Sequence, residues 1–229
     1  MSETLKRRDV KQRRDFKQHR DAKMVFMNDQ PRSYGGVDGV LRVAQRRETL
    51  IEAGLELMGS AEPELTVRGV CKQAGVAARY FYESFTDRDA LMSAVYDTVI
   101  TDIAVSTQTA VDSAETERGK ALAGIANIVR TIANDPRRGR LLFSSALTSP
   151  VLAEKRQAST TIFVGLLAAN AKTFYRLNDS GHLTLTATFL VGGLAQTLSA
   201  WLDGYIDVTE EELVAECAAI LLAPALPPP

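Results

Sequence analysis

Apolar residues recur through this chain at the three- and four-residue spacing of helices, which predicts an all-α fold. Capping residues, prolines and glycines mark where the predicted helices begin and end. These helices cover residues 43–59, two short stretches on either side of Gly75, and then 86–108, 117–133, 135–147, 150–176, 183–205 and 210–222. We expect a loop at 178–181 and a frayed, proline-rich end at 223–229.

The most informative pattern lies in residues 66–91. Thr66 is a natural N-cap for a short helix, and Gly75 ends that helix. A second short helix follows a tight turn and buries Phe81 and Phe85, which are four residues apart. Its free face carries Ala78, Arg79, Tyr80 and Tyr82. Two short helices around a glycine-containing turn, with a cation and aromatic residues on the second, indicate a DNA-reading helix-turn-helix.

These residues resemble the N-terminal domain of the TetR family of transcriptional regulators. The resemblance is carried by Thr66-Val67-Arg68, by Ala74-Gly75-Val76 and by Tyr82 through Phe85 to Leu91. With the preceding helix it covers about Arg46 to Asp102, and beyond that only the helical layout agrees. It implies an N-terminal three-helix helix-turn-helix DNA-binding domain and a C-terminal helical ligand-binding and dimerisation domain. We place an extension at 1–43 and the two domains at 44–104 and 105–229.

The expected DNA contacts divide into base readers and phosphate-positioning residues. Arg79 has the donors for a guanine edge, while Tyr80 offers its ring to a thymine methyl group. The remaining contacts are expected at Arg46, Arg47, Thr66, Arg68, Ala78, Tyr82 and Arg88. Arg88 occupies the place where TetR-like proteins commonly carry a phosphate-contacting lysine. The alternatives are solvated surface charge for Arg46 and Arg47, and simple packing for Tyr80 and Tyr82.

Two positions depart from the family pattern. Ala77 stands where the family often has a capping Ser or Thr, so the recognition helix lacks a bond worth ~1 kcal/mol. Glu83 stands where a His or Arg frequently touches phosphate. A carboxylate there repels the DNA backbone unless it turns toward Arg79 or Lys72, or accepts from a cytosine amine. No DNA-binding role is assigned to Glu83.

The formal net charge of −1 hides an uneven distribution. Residues 1–43 hold 11 Lys/Arg against 6 Asp/Glu, or +5, whereas 44–104 and 105–229 carry −4 and −2. The basic segment repeats a six-residue unit (Arg7–Gln12, Arg13–Gln18, His19–Met24), a period that no helix face matches. We interpret it as disordered through Gly39. It is a solvated tail, a basic arm that follows phosphates, or the product of an over-long start, since Met24 and Met27 also fit as first residues.

Few features favour an enzyme. The two histidines, His19 and His182, lie in a tail and a loop, and no phosphate-binding glycine loop, metal-ligand spacing or nucleophile–base set is visible. Cys71 and Cys217 are far apart inside predicted helices, which favours reduced thiols in the cytosol. The charged start of the sequence lacks the apolar core of a signal peptide. We expect a cytoplasmic protein with no cofactor and no metal.

No charged residue occurs between Asp179 and Asp203. The polar content of residues 183–202 disfavours a membrane span, so we expect a helix buried on all sides, between its own domain and a second copy. The predicted homodimer interface consists of Gly192, Gly193, Ser199, Leu213, Val214, Cys217 and Leu221, a set that gives four helices, two from each chain. TetR-like proteins dimerise in this way.

The resemblance further implies a pocket enclosed by the predicted fourth to eighth helices, from residue 86 to residue 205, whose occupant changes the separation of the two recognition helices. Candidate lining residues are Tyr96, Phe143, Phe163, Phe174, Tyr175 and Trp201, although ordinary core packing is the commoner role of such residues. Few charges interrupt the predicted seventh and eighth helices, so we expect a mostly apolar small-molecule effector.

The sequence therefore predicts a homodimeric repressor that binds an inverted-repeat operator in double-stranded DNA and is released by a small molecule. An activator or a ligand-blind regulator of the same fold is the nearest alternative. The alternatives of a different class are an enzyme and a small-molecule sequestering protein.

Overall fold

A computed structural model of the chain describes residues 35–144, 148–175 and 181–223, without the side chains of 35–38 and 171–175. Every regular element in these ranges is an α-helix, except for a single 3₁₀ residue at Ala223. This confirms the all-α prediction. The α-helices are α1 (Gly35–Met58), α2 (Val67–Ala74), α3 (Ala78–Ser84), α4 (Arg88–Asp112), α5 (Glu117–Asn134), α6 (Pro136–Phe143), α7 (Pro150–Tyr175), α8 (Gly181–Leu202) and α9 (Glu210–Leu222).

Local capping chemistry explains most of these boundaries. Thr66, Thr116 and Thr209 cap α2, α5 and α9 through their hydroxyl oxygens, and Thr209 forms the predicted capping box with Glu212. Asp135 caps α6, whose first residue is a proline.

Several predicted boundaries are wrong. The first helix begins at Gly35 instead of Val43, so the predicted disorder does not extend over residues 35–39. Asp87, not Thr86, caps α4: its carboxylate accepts the backbone N–H of Ala90 at 2.8 Å, and no capping box joins residues 86 and 89. A carboxylate is a stronger acceptor than a hydroxyl, which explains the one-residue difference.

The eighth helix ends at Leu202, three residues before the predicted Tyr205, because Gly204 takes a left-handed conformation with φ 74°. The sixth helix ends at Phe143; residues 145–147 lie outside the described part, as do residues 1–34, 176–180 and 224–229. The predicted basic extension, the loop at 178–180 and the proline-rich end therefore stay predictions, while Gly181 is already helical.

Two hydrophobic clusters hold the helices together. The first packs α1–α4 around fully buried residues such as Leu50, Phe81 and Leu91, and it continues into α6 and α7 through Leu141 and Leu152. The second joins α5, α8 and α9, with α5 packed on both α4 and α9. By contacts the described part of the chain divides between residues 42 and 43. The domain boundary near residue 104 stays a prediction.

Candidate DNA-binding surface and ligand cavity

Residues 66–85 form the two short helices that the sequence predicts. The Thr66 hydroxyl oxygen accepts the backbone N–H of Gly69 at 3.0 Å. Gly75 ends α2 in the left-handed region at φ 67°, where a residue with a Cβ is strained. Ala77 precedes α3 without a side-chain capping bond, as its lack of a polar group predicts. The geometry is that of a helix-turn-helix.

The helix α3 has one buried and one open side. Phe81 and Phe85 are 0% and 5% exposed, so the predicted buried pair is confirmed. Ala78, Arg79 and Tyr82 are exposed, while Tyr80 is half-buried. Two aromatic rings therefore anchor the short helix. Its other side chains are open to a large partner such as a DNA duplex.

Tyr80 lies between two guanidinium groups. The Arg46 guanidinium carbon is 4.4 Å from the Tyr80 ring centroid, and that of Arg79 is 4.6 Å away. Arg79 Nη2 also donates to the Tyr80 hydroxyl oxygen at 2.7 Å. These cation–π contacts give the half-buried Tyr80 a definite position. They also hold the Arg79 guanidinium against the neighbouring Tyr80 in the free chain.

Glu83 is paired with a residue that the sequence did not indicate. Its carboxylate lies 3.6 Å from Arg46 Nη2, and both side chains are partly exposed. The predicted partners Arg79 and Lys72 do not form this ion pair. Arg46 and Glu83 lie 37 positions apart on different helices, so no local spacing rule joins them.

The other predicted DNA-binding residues lie on the surface. Arg47 places its guanidinium carbon 4.8 Å from the Phe85 ring centroid, and Arg68 is exposed at the start of α2. Arg88 donates to the Asp89 carboxylate at 3.3 Å, which partly neutralises its charge in the free protein. The contacts of these residues with DNA stay predictions.

Helices α4–α9 surround a cavity of about 650 Å³. Three of the predicted lining residues, Tyr96, Phe143 and Phe163, contribute to its wall. Trp201 does not: its Nε1–H donates to the Val208 carbonyl at 3.0 Å, and its ring packs against the second hydrophobic cluster. The side chains of Phe174 and Tyr175 lie outside the described residues.

The cavity wall also includes a polar group that the sequence analysis missed. The Tyr96 and Ser159 hydroxyls are 2.9 Å apart in a buried contact, and Ser159 Oγ donates to the Arg156 carbonyl at 2.9 Å. Burial raises the pKa of Tyr96, so its hydroxyl is protonated at neutral pH. Arg156, Ser159, Thr160 and Phe163 follow one another at i, i+3, i+4 and i+7, which is the signal that was available in the sequence.

A charged cluster joins the end of α1 to the start of α6. Arg137 Nη1 donates to Glu52 and Glu56 at 2.7 Å each, and Arg137 Nε donates to Asp135 at 2.8 Å. Hydrogen bonds from Arg137 hold the pKa of Asp135 below its ordinary value, while the three carboxylates raise the pKa of Arg137. Arg140 Nη1 donates to the Gly59 carbonyl at 2.9 Å. The predicted DNA-binding domain and the cavity wall therefore meet at α6.

The predicted dimer residues have different surroundings in the single chain. Gly192 and Gly193 on α8 are both exposed, and Gly192, Ser199 and Leu221 also contribute to the cavity wall. Leu213 is 3% exposed and packs in the second hydrophobic cluster of its own chain, and its assignment to a subunit interface stays a prediction. Val214 and Cys217 pack against the same cluster and are half-buried.

The exposed apolar residues of the C-terminal helices were not among the predicted interface. Leu185 and Phe189 on α8 are 70% and 77% exposed, and Ile220 on α9 is 59% exposed. By length and composition α8 is apolar enough to cross a membrane, and only Leu183, Ala187 and Leu198 of its residues are buried.

The described part of the chain contains no group of three or more His, Cys, Asp or Glu side chains that could hold a metal ion. Cys71 and Cys217 are free thiols whose pKa values are raised by burial. Thiolate chemistry is therefore disfavoured at both positions.

No protein-family model and no curated protein matches the sequence. Solved structures do match. The fatty acid degradation regulator FadR from Bacillus halodurans has a TM-score of 0.65 at 16% identity, covering 77% of this chain and 94% of that chain. FadR from Bacillus subtilis in complex with stearoyl-CoA gives 0.63 at 15% identity, covering 77% and 97%. A TetR-family transcriptional regulator from Streptomyces coelicolor gives 0.62 at 16% identity, covering 80% and 82%. At these identities the comparisons confirm the fold.

Proposed function

We propose that this chain, which has the fold of TetR-family transcriptional regulators, is a ligand-responsive, homodimeric transcriptional repressor. Its two α3 helices read an inverted-repeat operator whose half-site centres lie about one helical turn (~34–36 Å) apart or slightly more. A small molecule with a mostly apolar body occupies the cavity and releases the protein from DNA. The proposal places the protein in the cytoplasm and gives it no catalytic activity.

The observation that carries the proposal is the presence in one chain of a helix-turn-helix with an exposed cationic and aromatic face and of a large apolar cavity. The core of α1–α4 is continuous with α6 and α7, which also form the cavity wall. A ligand that prefers one spacing of the α3 helices by ~3 kcal/mol changes DNA affinity about 150-fold.

The structural neighbours support an apolar effector. One of the FadR structures holds stearoyl-CoA, which carries a long aliphatic chain. In this chain the cavity wall is formed mainly by aliphatic side chains, including Ile100, Ile103, Ile125, Ile128 and Leu167. Such a wall stabilises an aliphatic body by burial and offers few hydrogen bonds.

A gel shift with the DNA upstream of the protein's own gene tests the proposal. We expect a salt-dependent complex that competitor DNA of random sequence does not displace. Equal affinity for that DNA and for random sequence at physiological salt contradicts it. Specific binding that no cavity ligand changes indicates a ligand-blind regulator, and ligand binding without any DNA specificity indicates a sequestering protein. The operator's position relative to the promoter separates a repressor from an activator.

Base reading is tested at Arg79. We expect Arg79→Ala to relax base preference at one position of each half-site, at a cost of ~1–3 kcal/mol for the preferred base. The matched control is Arg68→Ala, which removes an exposed cation expected at phosphate and lowers affinity evenly for all sequences. A selection from randomised operators measures both. Unchanged preference in Arg79→Ala refutes the assignment.

A further inference from the structure

Arg156 places a positive charge in a cavity that is otherwise largely apolar. It belongs to α7, lines the cavity and is partly buried. Its Nη2 donates to two backbone carbonyls at the end of α6, those of Leu141 at 3.0 Å and Ser144 at 2.8 Å. Both acceptors are neutral, so they orient the guanidinium without neutralising it.

The charge of Arg156 has no counter-ion among the described residues. The ion pairs in this part of the chain involve Arg46, Arg88, Arg137, Arg138 and Lys155. Arg156 Nε is buried and has no hydrogen-bond partner. Buried N–H groups are nearly always paired, and a charged donor left unpaired is more costly than a neutral one.

Two further hydroxyl groups lie on the same side of the cavity. Ser159, which is 8% exposed, and Tyr96, which is 2% exposed, share a hydrogen bond, and both line the cavity with Arg156. The other charged residues of the wall, Glu117 and Lys120, belong to the first turn of α5 and lie along the wall with Gln108. From Tyr96 to Val111 the wall follows α4 for about 22 Å of helix rise. The cavity is thus elongated, with a guanidinium and two hydroxyls among its polar groups.

We infer that the effector of the proposed regulator is an amphiphilic carboxylic acid, whose carboxylate binds Arg156 and accepts a hydrogen bond from the Tyr96 hydroxyl, which turns away from Ser159 on binding, and whose aliphatic body fills the apolar cavity. The inference rests on the proposed function only in calling this acid an effector, because binding of the acid in the cavity does not require DNA. A carboxylate supplies the missing negative charge and accepts a charge-assisted hydrogen bond from the guanidinium, whose Nη2 stays bound to the two carbonyls.

The test compares three probes with one body: dodecanoate, 1-dodecanol and dodecanoyl-CoA. Titration calorimetry with the full-length protein measures each affinity. We expect dodecanoate to bind about 10- to 100-fold tighter than the alcohol, which is the usual worth of a hydrogen bond to a charged group. The CoA thioester places a neutral carbonyl where the carboxylate would lie, and we expect it to bind more weakly than the acid.

Arg156→Met removes the charge while keeping an unbranched side chain, and we expect it to reduce dodecanoate affinity to that of the alcohol without changing alcohol binding. Lys155→Met is the matched control, since it removes a cation from the adjacent position of α7 that does not line the cavity. If Arg156→Met fails to fold because α6 loses two hydrogen bonds, Arg156→Lys and Tyr96→Phe provide the comparison. Both are expected to lower the preference for the acid over the alcohol.

Equal binding of acid and alcohol by the wild-type protein overturns the inference, as does tighter binding of the thioester or no binding of any probe. These results leave the proposed function standing if a specific operator complex forms. If the protein binds the acid selectively but forms no specific operator complex, the carboxylate site at Arg156 is confirmed and the proposed regulatory function fails.

Discussion

At the scale of single residues, the surface of α3 owes its arrangement to contacts between distant parts of the sequence. Arg46 lies over the Tyr80 ring and also pairs with Glu83. The acidic residue that departs from the family pattern is therefore compensated within the chain. The same ion pair engages Arg46, which was expected to meet a phosphate, so we expect Glu83 to lower DNA affinity in two ways.

Substituting Glu83 by Gln is expected to strengthen DNA binding. The change removes a negative charge from the DNA-facing side and frees Arg46 for a phosphate. Because the pair is largely exposed, we expect an increase of about two- to fivefold in affinity and a steeper salt dependence. Fluorescence anisotropy over a salt series measures both. Glu210→Gln on α9 is the matched control, and an effect of Glu83→Gln no larger than the control's contradicts the prediction.

The second residue-scale prediction concerns Asp135. Its pKa is lowered in the folded state, so its contribution to stability is present above the ordinary pKa of an aspartate and is lost as pH falls through the lowered value. Asn at this position keeps the helix cap but loses the charge. We expect Asp135→Asn to lower the free energy of unfolding at pH 7 and to have a smaller effect near pH 3. Urea unfolding at the two pH values measures this, and an equal loss at both refutes it.

Local chemistry allowed the sequence to predict many residue roles. The Thr66 cap, the Gly75 turn, the uncapped Ala77 and the buried Phe81 and Phe85 all follow from neighbours within four positions. The partners of Glu83, Arg137 and Arg156 lie on other helices. No periodicity indicates which charges the tertiary fold brings together, so these roles needed the structure.

At the scale of elements, α6 links the cavity to α1, the first helix of the predicted DNA-binding domain. Its C-terminal residues Leu142 and Phe143 line the cavity, and its last carbonyls accept from Arg156. Arg137 in its first turn binds the C-terminal part of α1, and Arg140 in its last turn binds the carbonyl of Gly59 just after α1. A ligand that moves Arg156 therefore has a short path of direct contacts to the end of α1.

The contact between α1 and α6 is tested at Gly59. A Cβ added there would lie 2.5 Å from Arg137 Cβ and 2.6 Å from its Cα, so backbone must move. We expect Gly59→Ala to destabilise the fold by ~1–3 kcal/mol and to change operator affinity without touching DNA or ligand. Gly165→Ala is the matched control, since its Cβ meets nothing within 4 Å and alanine favours helix. Urea unfolding and anisotropy measure the two effects; equal behaviour of both variants contradicts the prediction.

The sequence predicted the presence of each helix better than its first and last residues. Every predicted helix is present, and α5 extends one residue beyond its predicted end. The largest error is the start of α1, where Gly35-Gly36 and few apolar residues hid eight helical positions. Those positions expose Val40 and Leu41, so they lack the buried stripe on which periodicity analysis depends.

At the scale of the whole molecule, the uncovered side of α8 is the main feature without a partner in the single chain. The sequence predicted a helix buried between its own domain and a second copy, and in the single chain Leu185, Phe189, Gly192 and Gly193 are exposed at i, i+4, i+7 and i+8. Large exposed apolar patches mark interaction sites. The glycines leave open space in which a second helix can approach closely. A second copy of the chain is the partner that the proposed inverted-repeat operator requires.

Phe189→Glu is therefore expected to dissociate the dimer. Placing a carboxylate on each of two facing α8 helices buries like charges across the two-fold axis, which costs several kcal/mol. Because Phe189 is 77% exposed, the monomer should keep its fold, and circular dichroism checks this. Val105→Glu, on the exposed side of α4, is the matched control.

Sedimentation velocity decides between the outcomes of this substitution. We expect a dimeric wild type and control, a monomeric Phe189→Glu variant, and loss of operator binding with the dimer, because one helix-turn-helix retains only half of the contacts. A wild-type protein that is monomeric in buffer contradicts the prediction. A wild type that instead partitions into lipid vesicles, with partitioning abolished by Phe189→Glu, assigns the apolar side of α8 to a membrane and refutes the four-helix interface.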